Sequence, residues 1–251
     1  MQAMAVYAFD GFPDVKRGDA IPQLVLACLR RAGFPPADGD VLVIAHKVVS
    51  KAEGALHDLA TITPGPEAER LAAETDKDPR LCQLILDQSR RIVRQRRGLI
   101  IAEQRLGLVC ANAGIDHSNA GGGDWVVTLP DDPDRSAREV RDAVLQGFSA
   151  SVGVIINDSH GRAWREGAIG CCIGCAGFEP VHSHIGQTDR SGYVLRTSTE
   201  AVADELAAAA TLLQGQSAEG RPLALIRGAP VQPGEAGADA LVRRPEKDLF
   251  R

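Results

Sequence analysis

The chain has 251 residues, enough for one large domain or two modest ones with a substantial core. Its 44% hydrophobic and 24% charged residues are ordinary for a globular protein. Only 4% of residues are aromatic and the net charge is −5, which argues against a nucleic-acid partner, since there is neither a stacking platform nor a basic surface to neutralise phosphates.

The N-terminal stretch "MQAMAVYAFDGFPDV" has no basic segment leading into an apolar run, and no later stretch approaches the length of a membrane span. A cytoplasmic protein without signal peptide or membrane anchor is expected. Asp19 is placed to cap a helix through "AIPQLVLACLRRA", closed by Gly33. "DVLVIA" (40–45) reads as a short buried strand, which puts Lys47 and Lys51 of "HKVVSKAEG" at or just beyond its end. "PEAERLAAET" and, after the break at Pro79, "RLCQLILDQSR" are helical. "RIVRQRRGLIIAEQRLGLVC" reads as two antiparallel strands turning at Gly98.

"WVVTLP" is expected to be a strand ending at Pro130, followed by a helix over "DDPDRSAREVRDAVLQGF" with acids at its entry. "SVGVIIND" (151–158) is the clearest strand, ended by Asp158. "STEAVADELAAAATLLQG" is an amphipathic helix stopped at Gly215, and "RPLALIRG" is a last strand before the polar, loop-like tail "LVRRPEKDLFR". Helices and strands are mixed without strict alternation, which favours an α+β fold over a doubly wound sheet.

Neither G-x-x-x-x-G-K-[ST] nor G-x-G-x-x-G is present, so a nucleotide would have to be held by another route. Two acids follow apolar runs: Asp116 in "ANAGIDHSN" and Asp158, with Ser159 beside it. A carboxylate at a strand mouth next to a hydroxyl suits Mg²⁺ or Mn²⁺, which take oxygen ligands; a simple turn, with Asp bonding backbone amides, explains the same residues. Lys47 and Lys51 are natural phosphate partners for such a cation, though strand-end lysines are ordinarily solvated. In "GRAWR", Arg162 and Arg165 could grip an anion in bidentate fashion, or an arginine could stack on Trp164 for packing. Of the six cysteines, Cys172 and Cys175 have C-x-x-C spacing but no second pair to complete a zinc site, so packing in a small-residue segment is expected.

Together these segments resemble the coenzyme F-420-0:L-glutamate ligase family, the γ-glutamyl ligases of deazaflavin coenzyme biosynthesis. The motifs are "GFPDVKRGD", "HKVVSKAEG", "ANAGIDHSN", "LPDDPDRSAR", "NDSHGRAWREG", "IGCAGFEP", "DRSG", "ADELAAAATLLQG" and "PLALIRG", in the family's order through the closing "DLF". The resemblance implies an α+β fold of two intertwined subdomains, acting as one unit over residues 1–251, whose boundary the sequence does not mark. It also implies a homodimer with its site at the interface. The flavin-reductase-like domain that follows in some relatives is expected to be absent.

The implied reaction is GTP-dependent addition of L-glutamate, and of successive γ-linked glutamates, to F-420-0. It runs through an acyl phosphate and releases GDP and phosphate. Two divalent cations per site, Mg²⁺ or Mn²⁺, are implied, with K⁺ as an additional ion. By motif, Asp116 and Asp158 are similar to ligands of one metal, Ser159 to a ligand of the second, and Gln216 to a further metal contact. Phe12, Pro13, Asp14, Val15, His46, Lys47, Lys51, Asn119, Gly215, Gln216 and Gly220 resemble GTP contacts. Asp116, Asp158 and Lys51 are the candidate catalytic residues, Arg162 and Arg165 are candidates for a substrate anion, and His46, Glu53 and Asp158 are candidates for the base. Two rival classes share these residues: a metal-dependent GTP hydrolase without the ligase step, and a silent nucleotide-binding dimer.

Overall fold

Four consecutive apolar residues set the architecture. Leu42 and Ile44 enter one buried cluster, while Val41 and Val43 enter another. Side chains of a strand alternate between faces, so a strand apolar on both needs cover on both. The computed structural model describes residues 1–249. Its elements run β1 (Ala5–Ala8), α1 (Ile21–Arg31), β2 (Val41–Ala45), α2 (His46–Glu53), β3 (Leu56–Asp58), α3 (Pro66–Thr75), α4 (Pro79–Asp87), β4 (Ser89–Arg96), β5 (Leu99–Gln104), β6 (Val109–Ala111) and β7 (Trp125–Val127). They continue with α5 (Pro133–Phe148), β8 (Gly153–Arg162), β9 (Arg165–Ala176), β10 (His182–Ser183), β11 (Thr199–Glu200), α6 (Val202–Gln214) and β12 (Leu223–Arg227).

The central sheet has the order β1-β12-β2-β8-β9, with β2 and β8 parallel and the other neighbours antiparallel. On one face α1, α2 and α5 pack over Leu42, Ile44, Val154, Ile156, Leu223 and Leu225. On the other, α6 packs over Val41, Val43, Ile155, Ala224 and Ile226. A third cluster lies in the segment between α2 and α5, where α3 and α4 cover Ile100 and Ala102 of the sheet β4-β5-β6. This mixed arrangement is α+β, as expected.

Two glycines of β9 let helices approach closely. A side chain at Gly174 would overlap the backbone of Pro133 at the start of α5, and one at Gly170 would overlap Thr211 and the Ala207 carbonyl of α6. The first turns of these helices are tied to the same strand. Asp134 Oδ1 accepts from Cys175 N at 2.7 Å and Asp204 Oδ1 from Cys172 N at 2.8 Å.

Several elements differ from the sequence reading. "HKVVSKAE", whose lysines the sequence places at or just beyond the end of β2, is helix α2, which follows β2 directly and is stopped by Gly54 at φ 81°. Strand β8 does not end at Asp158; it runs on to Arg162, because pairing with β9 satisfies the backbone of its polar half. Its partner β9, glycine-rich "REGAIGCCIGCA", lacks the usual strand composition and was not anticipated. The strand expected through Pro130 covers only Trp125–Val127. The second strand of the arginine-rich hairpin ends at Gln104; the chain then turns at Gly107 and returns as β6, a third strand antiparallel to β5.

Asp19 does not cap α1, whose N-cap is Ala20; its carboxylate instead accepts from Lys16 N at 2.8 Å. Helix α6 begins at Val202, since Thr199 and Glu200 pair with Ser183 and His182. Short 3-10 turns at Ala238–Leu241 and Pro245–Lys247 punctuate the tail, whose last two residues, Phe250 and Arg251, lie outside the described residues.

Candidate active site

The parallel pair β2–β8 determines where a ligand can be held. Their pairing ends where β2 does, with Ala45 opposite Asn157, and crevices at the carboxyl ends of parallel strands are the usual binding places in mixed sheets. Here β2 turns straight into α2, whose N-cap Ala45 offers no side-chain hydrogen bond. The first N–H groups of α2 therefore lack intrahelical partners and present a partial positive charge to the crevice.

A cavity of about 410 Å³ opens there. Its walls come from four stretches far apart in sequence: Phe12–Val15; Ala45–Val48 with Lys51; Asn157–Ser159; and the end of α6 with the loop through Pro222. Asn119 closes the lining. Thus Phe12, Pro13, Asp14, Val15, His46, Lys47, Lys51, Asn119, Asp158, Ser159, Gly215, Gln216 and Gly220, singled out from sequence, converge on one space. Lys47 and Lys51 are one helical turn apart and both face it. Gly215 has φ +80°, and a side chain there would overlap the Glu219 carboxylate, which accepts from Ser217 N at 2.8 Å and shapes the loop.

Asp116 stands just outside this lining. Its Oδ1 accepts from Ser118 N at 2.7 Å and its Oδ2 from Ser118 Oγ at 2.8 Å and Lys47 Nζ at 2.6 Å. Burial raises its pKa, but Lys47 and the Ser118 donors outweigh that and hold it below the ordinary carboxylate value. The backbone that delivers it is unusual: Asn112, Ala113 and Asn119 all have positive φ, and Asp116 pairs through its own N–H and carbonyl with Val127.

Asp158 is nearly buried, with 12% of its side chain exposed. His46 Nε2 lies 3.2 Å from Oδ1 and His160 Nε2 lies 2.9 Å from Oδ2. Ser159 N donates to Oδ1 at 2.7 Å. Burial opposes ionisation of this carboxyl, yet the two imidazoles overcome it and hold the pKa well below the carboxylate range. His160, though burial acts to lower it, is pushed up to about 10 by Asp158 and the neighbouring Cys171.

His160 was not singled out from sequence. Spacing of two on a strand puts it on the face of Asp158, a signal legible only once β8 is read past Asp158. Ser118, two residues after Asp116 in the turn that follows it, was not among the candidate site residues either.

Arg162 and Arg165 do not reach the cavity lining; they pair across the tip of the β8–β9 hairpin, where Arg162 Nη2 donates to Glu166 O at 3.4 Å. Glu53 also points elsewhere, its carboxylate accepting from Ser136 Oγ of α5. Cys172 and Cys175 are buried beneath α6 in an apolar cluster, as packing residues would be.

Comparison with known proteins bears on this arrangement. The family model described as F420-0:Gamma-glutamyl ligase matches residues 11–228. The chain belongs to that family. It is 43% identical over 250 residues to the coenzyme F420:L-glutamate ligase of Methanothermobacter thermautotrophicus, covering 99% of each chain. It is 44% identical over 241 residues to that of Methanopyrus kandleri, covering 94% of this chain and 93% of the relative. With the protein so named from Archaeoglobus fulgidus it shares 37% identity over 246 residues, covering 98% and 96%. The family match spans every stretch that builds the cavity, from Phe12 to Pro222. No helix among the described residues is long and apolar enough to cross a membrane.

Proposed function

We propose that this protein joins L-glutamate to the deazaflavin precursor F-420-0, and then further glutamates in γ-linkage, using GTP. The observation that carries the reading is the convergence, at the carboxyl end of β2, of an uncapped helix N-terminus, Lys47, Lys51 and the Asp158 carboxylate, with Asp116 bound to Lys47 just outside the lining. Phosphoryl transfer asks a protein mainly for positioning and charge neutralisation, which those groups offer. A carboxylate and an amine do not condense unaided. A terminal carboxylate oxygen of the precursor attacks the γ-phosphorus of GTP, GDP leaves, and an acyl phosphate forms. The glutamate nitrogen then attacks the acyl carbon, phosphate leaves, and the amine's proton passes to a base.

In this scheme the α2 N-terminus, Lys47 and Lys51 bind the phosphates and offset their charge, while Phe12–Val15, Asn119 and the Gly215–Gly220 loop enclose the nucleotide. Asp116, Asp158, Ser159 and Gln216 are the residues whose oxygens would hold Mg²⁺ or Mn²⁺, which take oxygen ligands. Divalent cations held by these residues would supply charge to offset that which develops on the phosphates. Asp158, ionised far below neutrality, is a poor proton acceptor at pH 7.

Arg162 lies three residues beyond Ser159 on the same strand, about 10 Å further out, where it and Arg165 would meet an anionic group of a long substrate. A role for K⁺, the homodimer and a cytoplasmic setting rest on the family resemblance.

Phosphate release from GTP, followed with mass spectrometry of the deazaflavin product, tests the reading. Phosphate and product are expected only when precursor and glutamate are both present. Phosphate without glutamate would identify a hydrolase, and nucleotide binding without phosphate under any combination would identify a silent binder.

A further inference from the structure

Asn157 of β8 is 4% exposed and lines the cavity beside Asp158 and the last turn of α6. Its hydrogen bonds determine which end of its amide faces where. Gln214 Nε2 donates to the carbonyl oxygens of Val43, at 3.2 Å, and Pro222, at 3.0 Å. Carbonyls only accept, so Gln214 must turn its Oε1 toward Asn157, and the atom meeting that oxygen at 2.8 Å must be the donor Nδ2. The other Nδ2 hydrogen goes to Thr211 Oγ1 at 3.0 Å, whose own hydrogen is donated to Ala207 O at 2.8 Å. Both donors of Asn157 are therefore used. A flip of its amide would set two oxygens against its oxygen.

What remains is Oδ1, buried and with no donor to it among the described residues. Buried acceptors in folded proteins are almost always paired. One held unpaired by neighbouring side chains, in the wall of a ligand cavity, is poised for a donor carried by the ligand. A phosphate oxygen is itself an acceptor and would be repelled here, whereas the lysines and the α2 N-terminus suit it.

We propose that Asn157 is a specificity-determining residue whose Oδ1 accepts a hydrogen bond from a neutral N–H or O–H of the bound nucleotide, on either the base edge or the ribose. This rests on the nucleotide reading above. The role is additional to the metal and phosphate contacts, and Asn157, Thr211 and Gln214 act in it as one unit. A site built around such an acceptor discriminates against analogues lacking the donor, because the acceptor is then left unpaired.

The test is equilibrium binding to the full chain with Mg²⁺ present, comparing wild type with Asn157→Leu. The ligands are GTP; ITP, which lacks the exocyclic amine; ATP, which lacks that amine and the N1–H; and 2′-deoxy- and 3′-deoxy-GTP. Wild type is expected to bind at least one analogue about tenfold more weakly than GTP, and Asn157→Leu to lose that discrimination. Loss with ITP or ATP assigns the base edge, and loss with a deoxy analogue assigns the ribose.

The proposal is overturned if Asn157→Leu binds GTP as wild type does, if it weakens all five nucleotides equally, or if its defect vanishes with more Mg²⁺. A wild type that binds no guanine nucleotide overturns the nucleotide reading instead. Should leucine leave Gln214 unpaired and prevent folding, Asn157→Ser, which leaves room for water beside Gln214, takes its place under the same criteria.

Discussion

Lys47 Nζ donates to Asp116 Oδ2 at 2.6 Å, joining the first turn of α2 to a loop 69 residues further on. The lysine lines the cavity while the acid stands behind it, so each charge constrains the other before any ligand arrives. The pair is partly exposed, with 23% and 43% of the side chains accessible, and solvent screening keeps its contribution to stability to at most about 1 kcal/mol. Asp116→Asn is therefore expected to abolish ligation while changing thermal stability little. Excess Mn²⁺ restores part of the activity if the carboxylate holds a cation. Wild-type turnover in this variant would remove Asp116 from the site.

Lys51 has no ion-pair partner among the described residues and shares its helix face with Lys47. Lys51→Ala is expected to weaken GTP binding tenfold or more, on the order of 1.4 kcal/mol, without a matching loss of thermal stability. Lys51→Arg recovers only part, since a planar fork and a compact ammonium reach phosphate oxygens differently. Unchanged GTP affinity in the alanine variant would move the nucleotide elsewhere.

Gly174→Ala tests the packing of α5 on β9. The new methyl would overlap the backbone of Pro133, which no side-chain rotation relieves. Destabilisation of about 1–3 kcal/mol or more is expected in denaturant titration. A neutral result would show that α5 can withdraw from the strand at little cost.

Cys172 and Cys175, 3% and 1% exposed, are expected to resist alkylation in the native protein and to react after unfolding. Burial pushes the Cys172 thiol well up, and its neighbour Cys175 adds to this. Replacing both with alanine costs on the order of 1 kcal/mol per site and leaves metal content unchanged. Loss of a stoichiometric zinc would overturn the packing role.

His57 carries a pH prediction. Burial lowers its pKa below the ordinary 6.5, with Asp131 partly opposing. The unfolded chain then binds a proton that the folded one resists, so the contribution of this group to stability is present above pH 6.5 and is lost as pH falls through 6.5 toward the lower folded value. Tm measured from pH 8 to pH 5 is expected to fall less in His57→Gln than in wild type. Identical slopes would assign the loss to other groups.

Much of this was legible in the sequence because it depends on local pattern. The unbroken apolar run Val41–Ile44, the Pro-led helices and the glycine stop at Gly215 each carry their own signal. The family motifs marked nearly the whole cavity lining. What escaped depends on partners distant in the chain. "REGAIGCCIGCA" becomes a strand because β8 pairs with it and because two helices need its glycines, neither of which composition shows. Asp158 and Ser159 read as a turn while the strand was assumed to end with its apolar residues. The role of His160 depends on that strand continuing, and that of Asn157 on α6 folding against it.

The close approach at Gly170 has a further consequence. The atom that a side chain there would strike, Thr211 Oγ1, is the one that receives Asn157 Nδ2 at 3.0 Å. A residue added on β9, outside the cavity lining, would push this hydroxyl away from the amide it steadies. Tolerance to mutation at Gly170 is then limited twice over, once by helix packing and once by how faithfully the cavity tells one ligand from another. Selection acting only on ligand choice would preserve a glycine that never meets the ligand.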